Sequence, residues 1–82
     1  MNKKLTKDEL FLCTLFKLSE GDCDRCIERY EVGQTISQNN KSVDNTVQIL
    51  VRTQFVKRDE GDLIRITPHG IRLAMALLES SK

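Results

Sequence analysis

The 82-residue chain has room for one domain with one modest core. Its 39% apolar content with only 5% aromatic residues suits a small helical domain packed on Leu, Ile and Val, and no apolar run approaches the roughly 20 residues that span a bilayer. A formal charge of +1 argues mildly against a dominant nucleic-acid role, which usually shows a clear basic excess, although a local patch can act alone.

The amino terminus, Met1-Asn2-Lys3-Lys4-Leu5, is basic, but Asp8 and Glu9 follow before any long apolar region, so no signal peptide is expected. Three cysteines without an export signal read as free thiols in a reduced, cytoplasmic protein. Residues 1–82 are expected to form one domain, with 1–4 and 79–82 frayed.

The first helix is announced by Thr6-Lys7-Asp8-Glu9. In this capping box the Thr6 hydroxyl accepts from the Glu9 amide while the Glu9 carboxylate reaches back. Leu5 and Leu10 occupy the positions of a hydrophobic staple, and Asp8 and Glu9 suit the positive end of the helix dipole. From Leu10 to Leu18 the segment is apolar almost all round, so the pattern predicts burial on more than one side and suggests a second subunit. Glu20-Gly21-Asp22 ends it. Cys23 to Ser37 is helical by pattern, with Asp22 as N-cap and Ile27, Tyr30, Val32 and Ile36 as core contacts. Gly33 interrupts this pattern and costs about 1 kcal/mol against Ala, so the secure helix is Arg29 to Ser37.

Gln38-Asn39-Asn40-Lys41 is turn chemistry. The third helix is predicted over 42–54 with Ser42 as N-cap. Val43, Val47, Leu50 and Val51 repeat at i, i+4, i+7 and i+8, the spacing of a core-facing stripe. Lys41, Asn45, Gln48 and Arg52 project from the opposite face, with Ile49 at its edge as the one poor fit for a solvated surface. Phe55–Arg58 and Leu63–Ile66 are strand-like runs around Asp59-Glu60-Gly61-Asp62, a four-residue hairpin connection. Thr67 is a good N-cap and Pro68 suits the first helical position. Ile71 to Leu78 then carries apolar residues on two faces.

Two constellations test for chemistry. Cys23-Asp24-Arg25-Cys26 is a CxxC that Cys13 and His69 could complete. Those two lie far away in sequence and no second CxxC exists, so no metal site is assigned. Cys13 reads as core filler and Cys23 and Cys26 as a partly buried pair. His69 has no histidine partner, and the chain has neither a Gly-rich phosphate loop nor a clustered carboxylate pair. No enzyme activity and no cofactor are expected.

The predicted order is mainly α with a small β-hairpin: helix, helix, turn, helix, hairpin, helix. Val47 to Arg58, VQILVRTQFVKR, looks like the stretch of bacterial winged-helix regulators where the recognition helix runs into the first wing strand. Leu63 to Ala74, LIRITPHGIRLA, resembles the strand-then-helix ending common in MarR- and PadR-like families. The resemblance spans about Tyr30 to Leu78, and its most specific part is Ile66-Thr67-Pro68-His69-Gly70 after a hairpin. It implies a winged helix-turn-helix domain with its recognition helix in the major groove of duplex DNA and its wing against the backbone or minor groove. Lys41, Ser42, Asn45, Gln48 and Arg52 become the candidate groove residues, and Lys57, Arg58 and Arg65 the candidate wing residues.

The chemistry of these residues supports that role independently. Asn and Gln pair with adenine, Arg with guanine, and Lys with phosphate. From Lys41 to Arg58 four basic residues stand against one acidic, whereas Glu20 to Glu31 holds five acidic against two basic. The wing tip departs from the pattern, because Asp59, Glu60 and Asp62 would repel phosphate. In MarR- and PadR-like proteins the terminal helices build the dimer, so the resemblance also implies a homodimer through the first and last helices, with recognition helices about 34 Å apart. A winged-helix protein–protein interaction module is the other reading, with Ile49 and the acidic wing as its surface.

Overall fold

A computed structural model of the chain describes residues 5–80. The elements are α1 (Lys7–Leu18), β1 (Ile27–Glu28), α2 (Arg29–Thr35), α3 (Asn40–Arg52), β2 (Val56–Arg58), β3 (Leu63–Ile66) and α4 (Pro68–Ser80). This is the winged helix-turn-helix order, with a three-stranded antiparallel sheet arranged β1-β3-β2.

The capping box forms as expected. The Thr6 Oγ1 accepts from the Glu9 amide at 3.2 Å, and the Thr6 amide donates to Glu9 Oε1 at 2.9 Å. Leu5 packs on the core, but Leu10 stays 41% exposed, so the staple closes on one side only. Five consecutive residues of α1, Phe11 to Leu15, are buried. Five positions in succession cover more than a full helical turn, so α1 is enclosed on all but a narrow strip. Its neighbours are α2, α3, α4 and β3 of the same chain. The apolar excess that suggested a second subunit is therefore absorbed inside the chain.

The expected helix from Cys23 does not form. The Asp22 carboxylate accepts from the Asp24 amide at 2.9 Å, a turn rather than an N-cap. Ile27 and Glu28 then pair with Ile64 and Leu63 as β1. The Arg29 amide extends the ladder to the Asp62 carbonyl at 3.0 Å. Two residues carry no periodicity of their own, and only pairing with β3 makes them a strand. The helix starts at Arg29, as the secure part predicted, but stops at Thr35 instead of Ser37.

Three helices end on the same motif without glycine. Glu20, Ser37 and Gln54 take positive φ values of 56°, 57° and 68°. After each, an amide reaches back five residues: Gly21 to Phe16, Gln38 to Gly33 and Phe55 to Leu50. These are Schellman closures, which satisfy carbonyls that the helix end would orphan. Non-glycine residues in this conformation hide the usual stop signal. That is why α3, expected over 42–54, ends at Arg52. It also starts early, because Asn39 and not Ser42 is the N-cap, its side chain accepting from the Ser42 amide at 2.8 Å.

Two glycines permit close packing. A Cβ on Gly33 would collide with Val43, so the glycine that weakens α2 lets it lie against α3. A Cβ on Gly70 would collide with the Phe55 carbonyl and come within 2.9 Å of Ile66 Cγ1. Thr67 organises that junction. Its amide donates to the Phe55 carbonyl at 3.1 Å, its hydroxyl donates to the Gln54 carbonyl at 2.7 Å, and the same oxygen caps the Gly70 amide at 2.9 Å. Helix α4 starts at Pro68 as expected and includes Glu79 and Ser80, where fraying was expected. The expectations for 1–4 and 81–82 lie outside the described residues. Among the described residues no helix is long and apolar enough to cross a membrane.

Candidate nucleic-acid interface

The apolar stripe fixes which way α3 faces. Val43, Val47 and Leu50 are buried, Thr46 joins them, and Val51 is half-buried at the edge. Lys41, Asn45, Gln48 and Arg52 are all exposed on the opposite side. Among the described residues, the side chains of these four make no hydrogen bond or ion pair. Four uncommitted polar groups at i, i+4, i+7 and i+11 form a continuous ridge. Ser42 is placed differently. It is half-buried, and its hydroxyl accepts from Gln38 Nε2 at 2.7 Å, so it helps seat the turn between α2 and α3. The same Gln38 nitrogen donates to Thr46 Oγ1 at 3.0 Å.

The ridge contains a residue that sequence reasoning passed over. Asp44 is exposed, and its Oδ1 accepts from the Tyr30 hydroxyl at 2.9 Å and lies 3.5 Å from an Arg29 guanidinium nitrogen. That hydrogen bond pushes the Tyr30 phenol above its ordinary pKa. Both donors sit on α2. The available signal was spacing alone: Asp44 is three residues after Lys41 and four before Gln48, on the same flank.

On the wing, register sorts the basic residues. Lys57 pairs with Arg65 across the hairpin, so the two share one face. Arg58 pairs with Ile64 and belongs to the other. Lys57 and Arg58 are exposed and Arg65 is half-buried. The tip is acidic, as read, but Asp59 is engaged: its Oδ2 accepts from Cys26 Sγ at 2.7 Å. That bond holds the Asp59 carboxyl below its usual pKa, and Arg65 and Lys57 act in the same direction. It pushes the Cys26 thiol up. In Cys26→Ala the Asp59 carboxyl is expected to titrate closer to the ordinary aspartate value, read by carbon-detected NMR. A depressed pKa stabilises the fold above the unfolded value and is lost as pH falls through the folded one. Wild type should therefore lose this contribution below about pH 4. An unmoved titration would mean that the thiol does not hold the carboxylate.

The remaining chemistry-bearing residues are dispersed. Cys13 is buried with its thiol 4.0 Å from the Ala74 carbonyl, and burial raises its pKa. The His69 ring stacks on Phe55 with centroids 4.6 Å apart and planes 10° from parallel. Among the described residues no three His, Cys, Asp or Glu side chains converge in a way that could hold a metal ion. A shallow groove beside α3 is lined by Leu12, Ile49, Leu50, Phe55 and Leu73, with Asp8 and Glu9 on its rim. No protein-family model, curated protein or solved structure matches the chain. What stands is architectural: a small, mainly helical domain with a three-stranded antiparallel sheet in helix-turn-helix order.

Proposed function

We propose that this protein binds duplex DNA and regulates transcription in the cytoplasm, without catalytic activity, through α3 in the major groove and the hairpin against the backbone. One observation carries the reading. The face of α3 opposite fully buried Val43 and Val47 presents Lys41, Asn45, Gln48 and Arg52, all exposed and uncommitted among the described residues. An exposed helix needing only solubility is commonly dressed with Glu and Lys pairs. Amides and a guanidinium in that place are the groups that pair with base edges, and Lys57, Arg58 and Arg65 supply phosphate contacts from the wing. Ser42 contributes by seating α3 against the turn. The protein acts as a homodimer through its last helix, where Met75 is 55% exposed.

The deciding experiment is titration of mixed-sequence duplex DNA across a range of salt concentrations. Binding should strengthen steeply as salt falls, because phosphate contacts release counterions. Undetectable affinity at low salt would remove the DNA reading. Within it, Arg52→Ala is expected to weaken binding to the preferred site by about 1–3 kcal/mol while leaving mixed-sequence DNA less affected. Asp59→Asn with Glu60→Gln should strengthen binding to all sequences, since two carboxylates no longer oppose the phosphates. Equal affinity of this double variant and wild type would free the wing tip from the interface.

Ile49 favours a second reading. It is 43% exposed and opens onto the groove beside α3. An apolar side chain there suits a protein-binding module whose partner inserts an apolar residue against half-buried Phe55 and Leu73. Loss of DNA binding together with retained, Ile49-dependent capture of a protein partner would select this reading.

A further inference from the structure

We propose that Asp44 is a base-discriminating residue that selects cytosine in the DNA site. This rests on the DNA-binding reading above and names what one position of α3 would read. Asp44 lies in the N-terminal half of the helix, which begins at Asn40, and helix-turn-helix proteins bring base edges to that part of the recognition helix. Its side chain is 50% exposed, in line with Lys41 and Gln48.

The carboxylate is held rather than free to swing. Tyr30 donates to Oδ1 at 2.9 Å, and Arg29 stands 3.5 Å from the same oxygen with its own side chain only 12% exposed. Both anchors project from α2, which Gly33 keeps tight against α3. Among the described residues Oδ2 receives no donor. One oxygen is thus pinned by the protein and the other is presented.

An ionised carboxylate only accepts hydrogen bonds. In the major groove guanine presents O6 and N7 acceptors, and thymine presents O4 and a methyl group, so neither can satisfy Oδ2. Cytosine presents the N4 amino group alone. Adenine offers an amino group beside the N7 acceptor, a pair better matched by Asn or Gln, which donate as well as accept. Cytosine is therefore the base that a fixed, acceptor-only oxygen favours. Arg29 offsets part of the repulsion between this acid and the flanking phosphates. That accounts for an Asp on the one surface where added negative charge lowers general affinity.

The test is selection of bound duplexes from a randomised library with the full chain, comparing wild type, Asp44→Asn and Tyr30→Phe. Asn has the shape of Asp, can still accept from Tyr30, and replaces the presented oxygen with a donor. Circular dichroism establishes that each variant is folded. Wild type should show one position at which cytosine exceeds thymine by about 10-fold, within the range of a single base contact. In Asp44→Asn that preference should fall by about 10-fold and move towards guanine or thymine, whose acceptors a presented amide N–H satisfies, with the other positions unchanged and mixed-sequence binding stronger. Tyr30→Phe removes one anchor and leaves the carboxylate, so it should weaken the same cytosine preference without creating one for guanine or thymine. A role limited to pairing Arg29 would change melting temperature and leave base preference intact. Unchanged cytosine preference in Asp44→Asn, with DNA still bound, overturns the assignment alone. Absence of binding by wild type at low salt overturns the DNA reading and this assignment with it.

Discussion

Phe11→Ala is expected to lower the free energy of unfolding by about 3–5 kcal/mol, read by urea denaturation followed by circular dichroism. The side chain is completely buried, in a run that continues through Leu12, Cys13, Thr14 and Leu15. Truncation removes a ring from the central core cluster, and a helix packed against α2, α3, α4 and β3 shifts little to fill the space. A chain of this size has roughly 4–12 kcal/mol of total stability, so the variant should lose a quarter or more of it. The experiment also separates two meanings of an apolar α1. If the helix is the centre of a single chain, the loss is the same at low and high protein concentration. A loss below about 1 kcal/mol, or one that grows on dilution, would place Phe11 at a subunit interface instead.

Gly70→Ala should destabilise by about 3 kcal/mol, measured by thermal melting, despite replacing glycine inside a helix with the best helix former. Propensity alone predicts a gain of about 1 kcal/mol. Sterics oppose it, because the new methyl would collide with the Phe55 backbone carbonyl, which cannot rotate away as a side chain could. That carbonyl already accepts from the Thr67 amide, and the Thr67 hydroxyl holds both the end of α3 and the start of α4. Relieving the clash therefore means opening the junction that sets the hairpin against α3. DNA binding should fall with it even at temperatures where the helices persist. A neutral or raised melting temperature would show that the helix and the strand do not approach this closely.

Where the structure follows the sequence, the reason is local chemistry. Thr6 and Glu9 satisfy each other across three residues, Thr67 and Pro68 open α4 without outside help, and Val43, Val47 and Leu50 orient α3 by spacing alone. Boundaries were less legible. Asn39 and Ser42 are both competent caps, and choosing between them required the placement of the turn after α2. Glu20-Gly21-Asp22 marked the end of α1, but the closures at Ser37 and Gln54 carry no glycine, so composition gave no sign of where α2 and α3 stop.

The candidate site divides in the same way. Lys41, Asn45, Gln48 and Arg52 were legible because a helical period assigns an outward face once the inward one is known. Ser42 was drawn inward by Gln38, a side chain from outside the helix. Asp44 gained its fixed position from Arg29 and Tyr30, and the split of Lys57 and Arg65 from Arg58 came from hairpin register. The order of the major elements and the exposed ridge of α3 are legible in the chain, since both follow from capping, turn chemistry and periodicity within short segments. Packing between elements encloses α1, makes Ile27 and Glu28 a strand and holds the Asp44 carboxylate. Each of these depends on contacts between elements distant in the chain, which no local pattern records.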